Sequence, residues 1–307
     1  MAVAKRAANI VNVPEVNRSI SKEREDALSA LIDDDSPSVH EAVLAEFKRL
    51  GEPGQIILRR LARSGAELRS TAARTMLEEL EGISPSMAMM SFIGKGGNDL
   101  ETGVILISAA AIPRLNAEGI SGYIDAIAAR ARSLIAHGMG PLEMCKLLNR
   151  ALFHEYGFRG VPDGGDDPAN IAIAQVLRRR RGLPLALCIV YVLVARRLGL
   201  MLDIVDVPGR FMIGCRTEAD DVAPFFVDPF ERGAFRKPAQ IMEILRDNDI
   251  EPDPAWFSPL SDSQILYVCC RVLAIQFSKR NSPAKCRMFE GFFRAYESVM
   301  RGIDPHL

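Results

Sequence analysis

The chain has 307 residues, of which 48% are apolar and 25% are charged, so it can bury a large core and form two or three domains. Its formal net charge of −1 and its pI of about 6.5 give no global attraction to nucleic acid or lipid. The first residues, MAVAKRAANIVNVPEV, hold no apolar run ahead of a small-residue cleavage site, so we expect a cytoplasmic protein.

An internal repeat follows a polar start. Residues 1–22 are aperiodic, and we expect them to be disordered, whereas residues 23–82 contain two similar segments. Apolar residues recur at helical spacing in both copies: Val39, Val43, Phe47 and Leu50 in the first, and Leu68, Ala72, Met76 and Leu80 in the second. The pattern predicts a pair of HEAT-like helical hairpins.

The composition changes over residues 83–99, where a Gly-Gly pair and several methionines predict a linker. Met87, Met89 and Met90 suit either of two uses. They could form an adaptable patch for a partner, or they could fill gaps between domains, which is the use that we favour.

Helical periodicity returns after this segment. Helices are predicted over 101–111, 119–136 and 141–156. A further helix is predicted from Pro168 to about Arg181, because Asp167 is placed to cap its start and Gly182 to end it.

Four consecutive arginines close this predicted helix. Arg178 to Arg181 would lie in its last turn, where the helix dipole favours cations. A phosphate or RNA site is the alternative interpretation. Because no aromatic residues interleave with the arginines and the chain is not basic overall, we favour a solvated helix end.

The next helix is predicted over residues 184–198, within the stretch RRRRGLPLALCIVYVLVARRLGL. It is apolar on all sides, which is typical of a helix at the centre of a core. The uncharged part, Leu183 to Ala195, is shorter than the roughly 20 residues that a membrane span needs. The sequence therefore predicts a buried helix and no membrane segment.

Strand periodicity follows this helix. Strands are predicted over 202–207, 211–216 and 224–228, with the polar loop TEADD (217–221) between the last two, and helices over 238–247, 261–279 and 283–300. The predicted fold class is α+β: mostly helical, with a small antiparallel sheet packed on the buried helix. We expect a core over residues 100–240 and a C-terminal helical segment over residues 241–307.

Five ordered motifs carry a family resemblance. They are FHEYGFRG (153–160), DPANIAIAQVLRRRRGLPLAL (167–187), ARRLGL (195–200), VPGRFMIG (207–214) and VDPFERG (227–233). In this order they resemble the bacterial SirB-type transglutaminase-like proteins, which are described as a transglutaminase-like (papain-like) core followed by tetratricopeptide-like helices. The resemblance covers roughly residues 100–280 and leaves the HEAT-like start outside it.

The resemblance implies three catalytic positions. In an active core of this kind, a thiol at a helix N-terminus is made more acidic, an imidazole on a facing strand accepts its proton, and a carboxylate orients the imidazole. The matching positions here are the helix start after G-x-P, the residue after P-G and the Asp of D-P-F. This sequence has Ala186, Arg210 and Asp228 in them.

Two of these residues lack the required chemistry. Alanine has no nucleophile, and the guanidinium of Arg210 cannot act as a base at neutral pH. We therefore expect a pseudoenzyme in which Arg210 and Asp228 form an ion pair that fills the former site. Asp228 has a second interpretation, because an Asp before Pro is a common turn former.

Cys188 offers an alternative nucleophile, with His154 as its base. It lies two residues beyond Ala186, which turns it about 200° away on a helix. His154 is the only histidine in the five quoted motifs, and nothing in the sequence brings it near Cys188. A helix-surface histidine is therefore the interpretation that we favour. The six cysteines form no C-x-x-C pair, and no histidine stands at zinc-ligand spacing, so neither metal nor organic cofactor is expected.

These observations predict a non-catalytic transglutaminase-like module that binds a protein partner. Its binding groove would be lined by Arg210, Asp228 and Arg181. A cysteine-dependent acyl transferase or peptidase using Cys188 is the alternative. Nucleic-acid binding through the four arginines ranks last, and no interaction with a membrane is expected.

Overall fold

The computed structural model describes residues 21–302, except for residues 35, 65–66, 81–83, 113–118, 162–164, 216–223 and 252. The chain divides into two compact units, Met1–Gly82 and Ile83–Leu307. Almost all of the segment 1–22 and the whole of the loop 217–221 lie outside the described residues, so the predictions made for them remain predictions.

The described part of the first unit contains four helices. They are α1 (Lys22–Leu31), α2 (Pro37–Leu50), α3 (Glu52–Ala62) and α4 (Glu67–Leu80). Val43 and Phe47 of the first repeat and Met76 of the second are buried together in one core cluster, as their helical spacing predicts. Leu68 is an exception to the predicted apolar stripe, because it is 78% exposed near the N-terminus of α4.

The second unit contains most of the secondary structure. Its helices are α5 (Pro85–Gly94), α6 (Leu100–Ala111), α7 (Gly119–Arg132), α8 (Pro141–Asn149), α9 (Ile173–Arg179), α10 (Pro184–Arg197), α11 (Pro238–Asp247), α12 (Asp262–Lys279) and α13 (Pro283–Met300). A π-helix, Arg150–Glu155, continues α8, and 3-10 turns cover Pro168–Asn170 and Pro254–Phe257. The strands are β1 (Arg159–Gly160), β2 (Arg181–Gly182), β3 (Asp203–Val207), β4 (Arg210–Cys215), β5 (Phe225–Asp228) and β6 (Ala234–Arg236).

Helix α5 occupies most of the segment 83–99, so the predicted linker is wrong there. The side chain of Ser84 caps the helix by accepting a hydrogen bond from the backbone N–H of Met87, and Pro85 follows at the first helical position. Met89 is fully buried in the core, while Met87 is 61% exposed. The methionines therefore belong to a packed helix rather than to a connection between domains.

Helix α10 is the centre of the second unit. Every residue from Leu185 to Ala195 is buried, and the helix packs against α7, α9, β3 and β4. Arginines occupy its last turn, where they complement the dipole, and Gly199 follows with φ 73°. Within the described residues no helix is both long and apolar enough to span a bilayer.

The larger sheet is antiparallel, in the order β3-β4-β5-β6, and is covered on both faces. Ile204, Ile213 and Val227 belong to the same core cluster as α10. The alternate residues Met212 and Phe226 pack with Ile241 and Leu245 of α11 and with the 3-10 turn after it. The fold class is thus confirmed: mostly helical, with a small antiparallel sheet packed on a central buried helix.

The helix predicted from Pro168 to Arg181 is shorter than expected. Asp167 caps a 3-10 turn by accepting a hydrogen bond from the backbone N–H of Ala169, and α9 begins only at Ile173. Arg180 ends α9 in the left-handed region with φ 55°. Arg181 then enters β2, which runs parallel to β1. Of the four arginines only Arg178 and Arg179 lie in the last helical turn, because the left-handed conformation of Arg180 ends the helix and Arg181 pairs with Arg159.

Candidate functional site

Ala186 lies in the first turn of α10 and is fully buried. A Cβ placed on Gly182 of β2 would lie 3.3 Å from its Cβ. The methyl group of Ala186 therefore packs directly against the backbone of β2. The helix N-terminus at this position presents no nucleophile.

Arg210 begins β4, directly after the turn formed by Pro208 and Gly209. Its Nη1 donates a hydrogen bond to Oδ2 of Asp228 at 2.7 Å and another to Oε1 of Glu231. One nitrogen serves both carboxylates, so the pair with Asp228 is not bidentate. Glu231 also forms an ion pair with Arg236. Two arginines and two carboxylates therefore form a single charge network.

Asp228 ends β5 and has no exposed surface. Its Oδ1 accepts hydrogen bonds from the backbone N–H groups of Phe230 (3.0 Å) and Glu231 (3.2 Å), and its backbone oxygen accepts one from Gly233 (2.8 Å). Both interpretations of this residue therefore apply. Asp228 pairs with Arg210 through one oxygen and shapes the turn after β5 through the other.

Electrostatics keep Arg210 charged. Burial acts to lower the pKa of Arg210, but its hydrogen bonds to Glu231 and Asp228 outweigh burial, so the net pKa is raised. The hydrogen bond from Arg210 is also the main cause that lowers the pKa of Glu231. The position implied for a general base thus holds a permanently protonated side chain whose donors already face carboxylates.

The ring of Phe230 fills the space between Arg210 and β1. The Cζ of Arg210 lies 5.7 Å from the ring centroid, within cation–π range. On the other side, a Cβ on Gly160 would lie 2.3 Å from the ring, so only glycine leaves room for it. Gly160 pairs with Gly182, which packs on Ala186. The three family positions are therefore connected through two glycines and one aromatic ring.

The sequence interpretation missed Phe230, Gly160 and Glu231. All three stand in quoted motifs, but only Asp228 of DPFERG had been given a role. Phe230 could have been identified from the sequence, because it directly follows Asp228-Pro229, a pair that is typical of a turn. The role of Gly160 depends on pairing between two-residue strands, which has no periodic signal.

Cys188 and His154 do not form a reactive pair. Cys188 is fully buried, and burial, followed by the negative charge of Asp228, raises the pKa of its thiol well above the usual value. His154 is exposed on the π-helix. No hydrogen bond joins the two residues in the part of the chain that is described. Burial also raises the pKa of Cys145 and of Cys269 to about 12, so these thiols are not activated either.

Arg181, the third residue predicted to line the groove, is exposed on β2 next to Gly182. Its partner across the strand pair is Arg159. Among the described residues it forms no hydrogen bond with Arg210 or Asp228. The structure thus joins two of the three predicted groove residues and places the third on the neighbouring strand pair.

A buried polar network supports the turn after β5. The hydroxyl of Tyr191, on α10, donates to Oδ1 of Asn149 at 3.0 Å, and Nδ2 of Asn149 donates to the backbone oxygen of Gly233 at 2.7 Å. Gly233 has φ 83°, and a Cβ there would overlap the Asn149 side chain. This network fixes the end of the turn that carries Phe230 and Glu231.

The arrangement is suited to binding or structural roles through charge and shape. Within the described ranges no cluster of three or more His, Cys, Asp or Glu side chains is placed to hold a metal ion. The described site residues offer guanidinium donors, carboxylates and an aromatic face.

The site thus combines the N-terminus of a buried helix with an antiparallel sheet and with charged residues at the ends of two adjacent strands. Residues 118–271, half of the chain, match the transglutaminase-like superfamily. The chain belongs to this superfamily.

The chain is also similar to curated bacterial proteins. The chain is 34% identical to a UPF0162 protein of Xylella fastidiosa strain 9a5c over 143 residues, which are 46% of this chain and 50% of that relative. It is 24% identical to a UPF0162 protein of Vibrio cholerae over 132 residues, 43% of this chain and 48% of the relative. The chain thus spans about half the length of the bacterial relatives that it matches.

A mammalian protein shares a shorter stretch. The mouse F-box only protein 21 is 30% identical over 91 residues, which are 28% of this chain and 14% of that protein. No solved structure matches the chain.

Proposed function

We propose that this protein is a SirB-type pseudoenzyme, a non-catalytic transglutaminase-like module that binds a protein partner in the cytoplasm and acts as a regulatory or adaptor protein. In this proposal residues 23–82 form a HEAT-like unit, residues 100–240 form the core, and residues 241–307 form a tetratricopeptide-like segment. The helical ends would present surfaces to the partner.

The observation that carries the proposal is the state of Arg210. A general base must be able to lose a proton near neutral pH and to face a nucleophile. Arg210 does neither, because it shares its donors between buried Asp228 and Glu231, and the nucleophile position holds Ala186. Replacement of both groups by a packed methyl and a satisfied ion pair supports a structural use of the former site.

The alternative, a cysteine-dependent acyl transferase or peptidase, needs an accessible thiol of depressed pKa. Cys188 has the opposite properties, since it is fully buried and its pKa is raised. The binding hypothesis therefore accounts better for the described residues.

Site-resolved thiol labelling tests the proposal. The folded protein would be treated with iodoacetamide from about pH 5 to about pH 9, and each cysteine would be quantified by mass spectrometry. Cys286 is partly exposed and serves as an internal standard, since the other cysteines are buried. Desolvation and the hydrogen bond to Glu290 raise the pKa of Cys286, so we expect Cys286 to react mainly at the alkaline end of this range and Cys188 to stay unmodified until the protein unfolds.

The variant His154→Ala is the matched control, and it should leave the labelling of Cys188 unchanged. Rapid modification of Cys188 with an apparent pKa well below about 8.5, abolished by this variant, would show a rearranged catalytic site and refute the proposal.

A further inference from the structure

Exposed arginines converge beside the former catalytic positions. Arg159 and Arg181 are directly paired on the parallel strands β1 and β2, so their Cα atoms lie about 5 Å apart. Arg180 precedes Arg181, and its backbone oxygen accepts a hydrogen bond from the N–H of Arg159. Arg178 lies in the last turn of α9. We call these four residues the arginine surface.

In the described part of the chain, no carboxylate forms an ion pair with the arginine surface. Among the described residues, Arg178 bonds only to the neutral side chain of Gln175, and Arg159, Arg180 and Arg181 form no ion pair. Their neighbour Arg179 differs, because it pairs with Asp167 at 2.7 Å. Like charges directly opposite on paired strands destabilise the fold. Within a Debye length of about 8 to 10 Å they also act together on an approaching anion.

Local backbone geometry fixes this arrangement. Arg180 adopts φ 55°, a conformation that usually belongs to glycine or asparagine at a helix end. Its guanidinium carbon lies 6.0 Å from the ring centroid of Tyr156. A solvated helix end does not require this conformation or the pairing of Arg181 with Arg159. The chain therefore holds the arginine surface on a defined framework rather than on a frayed terminus.

The arginine surface borders the family site. Gly160 and Gly182 alternate with Arg159 and Arg181 on the two strands, and the glycines face Phe230 and Ala186. A ligand held by these arginines would therefore lie at the edge of the region where the resemblance places the catalytic residues.

Charge and shape favour an acidic peptide over a nucleic acid. Asp167 pairs with Arg179 inside the run of arginines, and Glu155, next to Tyr156, pairs with Arg150, so the unpaired cations form a short patch rather than the continuous track that a phosphate backbone needs. Tyr156 is half-buried, stands edge-on to Tyr123 and is approached by Arg180, so it offers no open stacking face. Spaced carboxylates on an extended peptide can each meet one guanidinium fork.

We propose that the arginine surface binds an acidic, extended segment of a protein partner through its glutamate or aspartate carboxylates. This inference deepens the proposed function, on which it rests, by giving the partner's chemistry.

Fluorescence anisotropy with the 307-residue chain tests it. The probe is a short fluorescein-labelled peptide that alternates glutamate with glycine, and the comparison peptide has glutamine in place of glutamate. The test variant is R159Q/R180Q/R181Q. The matched control, R287Q/R294Q/R301Q, removes the same charge from exposed positions along and just after α13. Circular dichroism would verify that both variants fold.

We expect the glutamate peptide to bind and the glutamine peptide not to bind. The test variant should weaken binding by at least about tenfold, and the control should change it by less than about twofold. Equal losses in both variants, or no binding of the glutamate peptide, would overturn the inference. So would tighter binding of a single-stranded oligonucleotide of equal charge, which would assign the surface to nucleic acid. Thiol labelling tests the absence of catalysis separately, so failure of one proposal is distinguishable from failure of the other.

Discussion

At the scale of single residues, Arg210 is the one described cation that pairs with buried Asp228. Asp228 has no exposed surface, and Arg210, which is partly exposed, balances its charge. Removing one member of a buried ion pair leaves an uncompensated charge in the core. We predict that Arg210→Ala lowers the free energy of unfolding by about 3 kcal/mol, measured by urea denaturation at neutral pH.

Arg236→Ala is the control for this prediction. Arg236 contacts only Glu231 within the same network, and Glu231 is partly exposed. Arg236→Ala should lower the free energy of unfolding by less than about 1 kcal/mol. Similar costs for the two variants would mean that Asp228 does not need Arg210 to remain buried.

A second prediction at this scale concerns the hydroxyl of Tyr191. This hydroxyl donates to Asn149 at 3.0 Å inside the core, where no described donor would replace it. Tyr191→Phe should therefore lower the free energy of unfolding by about 1 to 2 kcal/mol, since a buried acceptor is left unsatisfied. Tyr267→Phe removes a hydrogen bond to Glu297 in a partly exposed place. This control variant should lower the free energy of unfolding by clearly less in the same urea titration. Equal losses in the two variants would refute the role of the buried network.

At the scale of elements, close helix contacts depend on glycine. A Cβ on Gly103 of α6 would lie 2.3 Å from Leu266 of α12, whereas a Cβ on Gly291 of α13 would meet nothing within 4 Å. Gly103→Ala should therefore lower stability by about 1 to 3 kcal/mol through overpacking. Gly291→Ala should raise it by about 0.5 to 1 kcal/mol, because alanine favours the helix. Thermal unfolding of both variants would check this, and the same sign in both would contradict the packing.

The long elements were predictable because their periodicity is strong. The helices α10, α11 and α13 and the strands β3, β4 and β5 begin and end within a residue or two of their predicted bounds, whereas the three-residue strand β6 was not predicted. The pair β1 and β2 was missed, since two residues show no period and the pairing is set by tertiary contacts. Helix α5 was also missed. The methionines and the Gly-Gly pair after the helix indicated a linker, although Ser84-Pro85 is typical of a helix start.

The candidate site was predictable only in part. The motifs placed Ala186, Arg210 and Asp228 in order along the chain, and the charges of the last two suggested their contact. The turn after β5 brings Glu231 to Arg210, which also pairs with Asp228, and places Phe230 over Gly160. Its conformation depends on Asn149, which is distant in sequence and carries no motif.

At the scale of the whole molecule, ion pairs tie distant helices of the second unit together. Arg197 at the end of α10 bonds to Glu101 of α6 at 2.7 and 2.9 Å and also to Asp125 of α7. The hydrogen bond from Arg197 is the main cause that lowers the pKa of Glu101 below its usual range. Glu155 and Glu231 have lowered pKa values for the same kind of reason, with Arg130 and Arg210 as the main partners.

The sign of the resulting pH dependence follows from these shifts. A carboxylate whose pKa is lower in the folded state contributes stability that is complete above its unfolded pKa and is lost as the pH falls through its folded pKa. We predict that the free energy of unfolding declines below about pH 5, and that Arg197→Gln makes this decline shallower because Glu101 then titrates nearer its unfolded value.

Urea denaturation at several pH values between about 7 and about 3 would measure this dependence. Arg294→Gln is the control, since Arg294 is exposed on α13 and forms no ion pair within the described residues. Arg294→Gln removes one positive charge, as Arg197→Gln does, but leaves the ion pairs of Arg197 intact. Its free energy of unfolding should therefore decline with falling pH in parallel with that of the unaltered protein. If Arg197→Gln also ran parallel, the link from α10 to α6 would not contribute to acid sensitivity, and the remaining carboxylates would have to account for it.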